Sequence, residues 1–331
     1  MFQAHAENAD AQQAGTNYAR VIITTAANSK YFDLLRDLLM SIAEHRGDRD
    51  VALGCYDLGF TDEQRDWLRA RGVRTVVPRT ELRIPEGERD VHKLAYAARP
   101  FLRENFPDHE IYLWLDADLW LQDWNVIDRL IEGARRHGAA IARENEQGYR
   151  FQAWLFMWTA KHFIKGYGFL SGLWLLTRPH INNGVFAMRA DAPHWQIWRR
   201  LYQRAVDRSG QLAPHDQFAL NEAIYRFRLP TAFLPATCNW ICDRGIPMWN
   251  EVTNKYCAPY APYAPISIMH LAGPAKSQIY EMRIVGDGRV RAGLRYRASR
   301  TPVVAAPRGW VQTLTGAFAS LAVNRKGLRS G

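Results

Sequence analysis

The stretch EIYLWLDADLWLQDW, Glu110–Trp124, sets two carboxylates, Asp116 and Asp118, inside one of the most apolar runs of the chain. Ile111 to Leu115 are continuously apolar, the pattern of a central strand covered on both faces. Residues i and i+2 of an extended segment point to one side, so the two carboxylates are expected to converge above the C-terminal end of that strand. Left uncompensated they would repel and raise one another's pKa, whereas a hard divalent cation bound to phosphate oxygens would remove that cost. A lone D-x-D is a weak signal, because Asp-rich turns after strands often only cap helices.

Outward from this stretch the chain alternates strands with helices. VIITTA (Val21–Ala26) reads as a buried strand, and Leu34, Leu35, Leu38, Leu39 and Ile42 then recur at helical spacing. VALGCYD (Val51–Asp57) supplies a second strand, Thr61 and Gln64 form a capping-box pattern opening a helix, and VRTVVP (Val73–Pro78) supplies a third. A helix over about Asp90–Asn105 leads into the apolar strand, and a further helix (Val126–Arg136) and strand (Ala139–Ala142) follow it. Short connections between alternating elements predict an α/β fold with a mostly parallel central sheet flanked by helices, and in such sheets ligands bind at the strands' C-terminal edge.

The segment 151–177 is aromatic with little regular period, and reads as a lid, an acceptor-binding segment or an irregular subdomain. Lys161, His162, Lys165 and three glycines disqualify it as an ordinary membrane span. Order returns with a strand from about Gly184 to Met188, helices through HWQIWRRLYQRAV (His194–Val206) and HDQFALNEAIYRF (His215–Phe227), and a short strand ISIMH (Ile266–His270).

The formal charge of +10 points to anionic partners: nucleic acid, an acidic lipid surface or phosphorylated small molecules. Nucleic acid is discounted, since no reading motif is present and the arginines are spread along the chain. Cys55, Cys238, Cys242 and Cys257 follow no zinc spacing and read as reduced thiols in a cytoplasmic protein. Residues 1–18 read as a disordered lead-in, 19–300 as the main domain and 301–331 as a basic tail. In that tail Trp310, Leu314, Phe318 and Leu321 form one stripe ahead of Arg325, Lys326 and Arg329. The readings open to the tail are a helix docked on the core and a peripheral contact with an anionic membrane surface on the inner face of the membrane.

In IMHLAGPAK (Ile268–Lys276), His270 ends a short apolar strand, Gly273 and Pro274 turn the chain, and Lys276 returns an ammonium toward the same place. An imidazole can ligate a borderline metal such as Mn²⁺, and a lysine can neutralise a diphosphate.

D-x-D after a strand, N-x-G-V at Asn182–Val185, D-Q-x-x-L-N at Asp216–Asn221 and H-x-x-G-P-A-K at His270–Lys276, in this order, resemble the retaining glycosyltransferases of family 8, which include bacterial lipopolysaccharide galactosyltransferases. The resemblance runs from about Val21 to Lys276, and its last motif is the most specific. It implies a GT-A fold that binds a nucleotide-diphosphate sugar, usually UDP-linked, with Mn²⁺ (or Mg²⁺) held by Asp116, Asp118 and His270. It further implies donor contacts from Thr24, Thr25 and Ala26 of the first strand, Arg99, Asp116, Ala117, Asp118, Asn182, Gly273 and Lys276, with Asp216 and Gln217 as catalytic residues beside the transferred sugar. The implied partners are a nucleotide-sugar donor and a glycan or lipid-linked acceptor. Bland alternatives exist residue by residue: Arg99 pairing with a surface acid, Asn182 closing a turn, Asp216 capping its helix.

The chain departs from the pattern where Ser277 and Gln278 follow the lysine in place of Pro-Trp, and where Phe218 stands at a frequent Asp, which bears on the sugar's identity. A nucleotidyltransferase needs a Gly-rich basic loop after the first strand, which TTAANSKYF (Thr24–Phe32) lacks. A non-catalytic protein on a degenerate transferase fold would instead recognise glycans or a partner through its aromatic surface.

Overall fold

A computed structural model describes residues 17–296. The first half alternates as expected: β1 (Val21–Ala27), α1 (Phe32–Arg46), β2 (Ala52–Asp57), α2 (Asp62–Arg69) and β3 (Val73–Val76), then α3 (Val91–Ala98) and α4 (Leu102–Asn105), then β4 (Ile111–Leu115), β5 (Leu119–Leu121), α5 (Asn125–His137) and β6 (Ala139–Arg143). The second half continues through α6 (Ala153–Tyr167), α7 (Phe169–Leu176), β7 (Ile181–Arg189), α8 (His194–Ser209), α9 (His215–Arg226) and β8 (Thr231–Leu234). Short strands follow: β9 (Trp240–Ile241), β10 (Met248–Asn250), β11 (Lys255–Cys257), β12 (Ile268–His270), β13 (Ile279–Arg283) and β14 (Arg289–Gly293).

Seven strands form the central sheet in the order β3-β2-β1-β4-β7-β6-β8. All neighbouring pairs are parallel except those of β7, which runs antiparallel to both β4 and β6. All five residues of β4 are buried, and odd and even positions feed different cores: Ile111, Leu113 and Leu115 pack with the α1 and α5 side, Tyr112 and Trp114 with α3 and α8. Each such side chain contributes about 1.5–3 kcal/mol by leaving water, which makes β4 the anchor on which the site rests.

Local signals act as expected in α2, where Thr61 Oγ1 accepts from Gln64 N–H while the Gln64 side chain accepts from Thr61 N–H. The expected single helix before β4 is instead divided: Pro100 lacks an N–H, and a 3-10 turn over Arg99–Phe101 separates α3 from α4. The segment 151–177 is not irregular. It is a helical hairpin, α6 and α7, whose period is hidden because rings occupy both sides: Phe163, Tyr167 and Leu175 are buried while Trp154, Met157, Phe169 and Leu170 are exposed. Tyr18, assigned to the lead-in, packs on the core and its hydroxyl donates to Asp128. All four cysteines are free and buried. The stripe Trp310–Leu321 and its cations lie outside the described residues.

Candidate active site

β4 ends at Leu115, and the chain turns at once. Leu119 N–H donates to Asp116 C=O at 3.2 Å, closing a four-residue turn that reverses direction into β5. The two carboxylates therefore converge through a turn, rather than through the strand alternation expected from their spacing. The turn serves a second, three-stranded sheet in which β12 runs antiparallel to β5 and parallel to β9, with His270 opposite Leu119 and Ile241. This register carries His270 from a sequence distance of more than 150 residues to the D-x-D. Atoms of Asp116, Asp118 and His270 that can ligate a metal lie within 4.8 Å of one another.

The sheet also explains the second motif. Because β7 is antiparallel to β4, its first residues share the edge where β4 ends; Val185 is opposite Leu115, and Asp116 N–H donates to Gly184 C=O at 2.9 Å. Gly184 is required there by contact, since a Cβ would lie 2.7 Å from Asp116 Oδ2, 2.8 Å from Asn182 Oδ1 and 2.9 Å from His270 Cε1.

A chain of amides fixes the imidazole. Gly184 N–H donates to Asn182 Oδ1 at 2.8 Å, and a backbone donor cannot be reversed, so the Asn182 oxygen is assigned. Asn239 must then present its Nδ2 to that oxygen (3.1 Å) and its Oδ1 to His270 Nδ1 (2.9 Å). His270 thus carries its proton on Nδ1 and directs the Nε2 lone pair toward Asp118, 3.6 Å away. Asn182 Nδ2 donates to Glu144 Oε1 at 2.9 Å, and Arg244 closes on Glu144 Oε2 at 2.7 Å. Burial works against the charge of Glu144, but His180, Arg244 and the Asn182 amide outweigh it and hold its carboxyl below the ordinary range.

On the other side Arg99, only 6% exposed, forks between acids: NH2 donates to Asp116 Oδ1 at 2.6 Å, and NH1 to Asp216 Oδ2 at 2.7 Å and Asn183 Oδ1 at 3.1 Å. Asn183 Nδ2 also donates to Asp216 Oδ2 (2.9 Å), and Trp114 Nε1 to Asp116 Oδ1 (2.8 Å). Burial opposes the charge of Arg99, yet Asp116 and Asp216 more than offset it and push its pKa up. Burial raises the pKa of Asp216 against the opposing pull of Arg99 and Asn183. With both donors on Oδ1, Asp116 keeps Oδ2 for the cleft.

Lys276 Nζ sits 2.8 Å from Asp118 Oδ2, brought there by the 3-10 turn Gly273–Lys276, in which Gly273 takes φ +58°. Asp116, Asp118 and Asp216 face Arg99 and Lys276, so one negative charge is left over when His270 is neutral. Two carboxylates, an imidazole with Nδ1 tied and Nε2 free, and a cradle kept open by glycine fit a divalent ion that takes oxygen and nitrogen ligands.

The structure brings Arg99, Asp116, Asp118, Asn182, Asp216, His270 and Lys276 into one network, while Ala117, between the two carboxylates, is buried in the core. Asp216, 2% exposed, reaches it through Arg99. Gln217 Nε2 is bonded to His180 Nε2 at 2.9 Å. Of the first-strand trio, Thr24 is fully buried and donates to Leu113 C=O at 2.5 Å, Thr25 is 2% exposed, and only Ala26 is partly open. Sequence reasoning missed Trp114, Glu144, Asn183, Gly184, Asn239 and Arg244. Trp114 was within reach, on β4 two residues before Asp116, and Asn183–Gly184 stand inside N-x-G-V; Asn239 had no local signal.

No protein-family model matches the chain, and no curated protein matches it. Solved structures do resemble it. A galactosyltransferase, LgtC, in complex with donor and acceptor sugar analogues, is 15% identical over 77% of this chain and 88% of its own, with a TM-score of 0.48. The glycosyltransferase GlyE of Streptococcus pneumoniae TIGR4 is 14% identical, over 78% of this chain and 55% of its own, at 0.45. Mouse xyloside xylosyltransferase 1 in its apo form is 13% identical, over 78% and 99%, also at 0.45.

Proposed function

We propose that the protein is a metal-dependent glycosyltransferase of GT-A type that moves a hexose from a nucleotide-diphosphate sugar, with UDP as the nucleotide, to a hydroxyl of a bacterial surface glycan or lipopolysaccharide acceptor, with retention at the anomeric carbon. The observation that carries this reading is the convergence of Asp116, Asp118 and His270 within 4.8 Å with Lys276 at 2.8 Å from Asp118. Anionic ligands and an ammonium side by side suit a diphosphate that arrives with its cation.

Asp116, Asp118 and His270 would hold Mn²⁺ or Mg²⁺, which when bound supplies charge neutralisation on the diphosphate leaving group. The chain's own residues do the rest. Lys276, partnered with Asp118 in the structure, turns to a phosphate oxygen and stabilises charge as the bond from the anomeric carbon to the diphosphate breaks. Arg99, clamped by Asp216 and Asn183, holds the Asp116 carboxylate in one orientation. Asn239 keeps His270 in the tautomer that leaves Nε2 free. Gln217 flanks the sugar, and the acceptor hydroxyl enters from the side of α6.

The test is turnover of UDP-hexoses with added Mn²⁺. Asp118→Ala should abolish metal-dependent release of UDP while leaving the circular dichroism spectrum unchanged. An unchanged rate in that variant would sink the assignment, and a wild-type protein that binds UDP-sugar without turning it over would favour the non-catalytic glycan-binding reading.

A further inference from the structure

The α6–α7 hairpin has one side in the core and another that nothing in the described structure covers. Inward, Phe163 lies tilted against Phe218 with ring centres 4.3 Å apart and meets His180, the partner of Gln217. Outward, Trp154 is 65% exposed, Met157 70% and, on α7, Leu170 80%. Phe151 and Phe169 are similarly open. Large apolar side chains in such a group are rare on a protein surface with no partner.

Trp154, Met157, Lys161 and Lys165 follow at spacings of three and four along α6, so one ring, one thioether and two ammoniums share a helix face. From Gln147 through Ala190 the chain contains no Asp or Glu, yet it contains Arg150, Lys161, Lys165, Arg178 and Arg189. None of Arg150, Lys161, Lys165 and Arg178 pairs with a carboxylate among the described residues; Lys165 Nζ donates only to Gln211 Oε1, at 3.2 Å. Elsewhere on this surface arginines are commonly answered by acids, as in Arg199–Glu104 and Arg204–Glu222. A segment that gathers exposed rings and cations and carries no carboxylate of its own is complementary to a layer that is greasy beneath and anionic on top.

We propose that the α6–α7 hairpin docks the protein on an anionic bilayer surface, with its exposed rings entering the interface and Lys161 and Lys165 reaching the headgroup phosphates. Trp suits that depth, and lysine stems lie along apolar surface while their ammoniums stay with the phosphates. The contact lies in the membrane plane, since no helix among the described residues is long and apolar enough to cross a membrane. This inference stands apart from the catalytic reading and from the tail beyond residue 296, which every protein in the test below retains.

The experiment is co-sedimentation of the full chain with vesicles of phosphatidylcholine alone or mixed with phosphatidylglycerol. Wild type should sediment with the mixed vesicles, and Trp154→Ser combined with Leu170→Ser should lower the partition coefficient at least about tenfold. Lys161→Ala and Lys165→Ala should each cost roughly fivefold on mixed vesicles only. Val252→Ser, at a side chain 96% exposed on another part of the surface, should change nothing. Because the substituted side chains are exposed, thermal unfolding of the variants should coincide with wild type. The proposal is overturned if the double variant sediments like wild type, if wild type ignores phosphatidylglycerol, or if light scattering shows a dimer that the double variant dissolves, which would assign the face to a second copy.

Discussion

Replacing Gly184 by Ala adds one methyl group at the point where three site residues meet. Its Cβ would lie 2.7 Å from Asp116 Oδ2, 2.8 Å from Asn182 Oδ1 and 2.9 Å from His270 Cε1. Comfortable carbon contacts begin near 3.5 Å, so the neighbours must retreat by about 0.5 Å or more. They are not free to do so. Asp116 is gripped through Oδ1 by Arg99 and Trp114, Asn182 by Gly184 N–H, Asn239 and Glu144, and His270 by Asn239. A shift of that size exceeds the ~0.2 Å within which metal–ligand distances normally hold. Divalent-ion affinity should therefore fall roughly 10- to 100-fold, and turnover by about 10²-fold. Overpacking should cost only about 1–3 kcal/mol of stability, so the variant remains folded. Mn²⁺ titration followed by electron paramagnetic resonance, beside a thermal melt, separates the two effects. A folded Gly184→Ala protein that binds Mn²⁺ as wild type does would show that Asp116 and His270 do not share an ion in this cradle.

Lys276→Met carries an unusual sign. Without donor, the ammonium occupies Asp118 Oδ2 at 2.8 Å and competes with any cation for that oxygen. Its loss should leave Mn²⁺ affinity equal or higher while turnover falls about 10²–10³-fold; weaker Mn²⁺ binding by the same titration would contradict this placement. Acid sensitivity follows from two fully buried histidines, His194 and His215, which burial lowers to about 4, with His162 and Lys165 adding to the shift at His215. A folded pKa depressed below the unfolded value of about 6.5 means the unfolded chain takes up protons first, so the stability is complete above that value and is lost as pH falls toward 4. Each histidine should withdraw about 2 kcal/mol by pH 5. Urea midpoints at neutral and acid pH test this, and His215→Phe should flatten the slope; an unchanged slope would refute it.

Much of the frame was legible along the chain, because burial imposes local periods. The continuous run of β4, the leucine stripe of α1 and the Thr61–Gln64 box each report an environment through neighbouring residues, and each stands in the structure as read. The hairpin α6–α7 escaped because a helix with rings inside and outside has no contrast to display. The reversed direction of β7 was equally hidden, since alternation along a strand is the same whichever way it runs.

The site divides along the same line. Residue chemistry alone nominated Asp116, Asp118, His270 and Lys276, because carboxylates, an imidazole and an ammonium near strand ends are costly unless something compensates them. Sequence by itself thus determined the α/β frame and the identity of the polar groups gathered beyond the end of β4. Only tertiary structure decided which of those groups meet and how they are held: the β5–β12–β9 register that sets His270 beside Asp118, the Arg99 fork between Asp116 and Asp216, and the Asn239–Asn182 amides that select one imidazole nitrogen. A hydrogen bond between residues tens of positions apart leaves no local period, because it depends on strand register and direction, and those are settled when the sheets close on their common core.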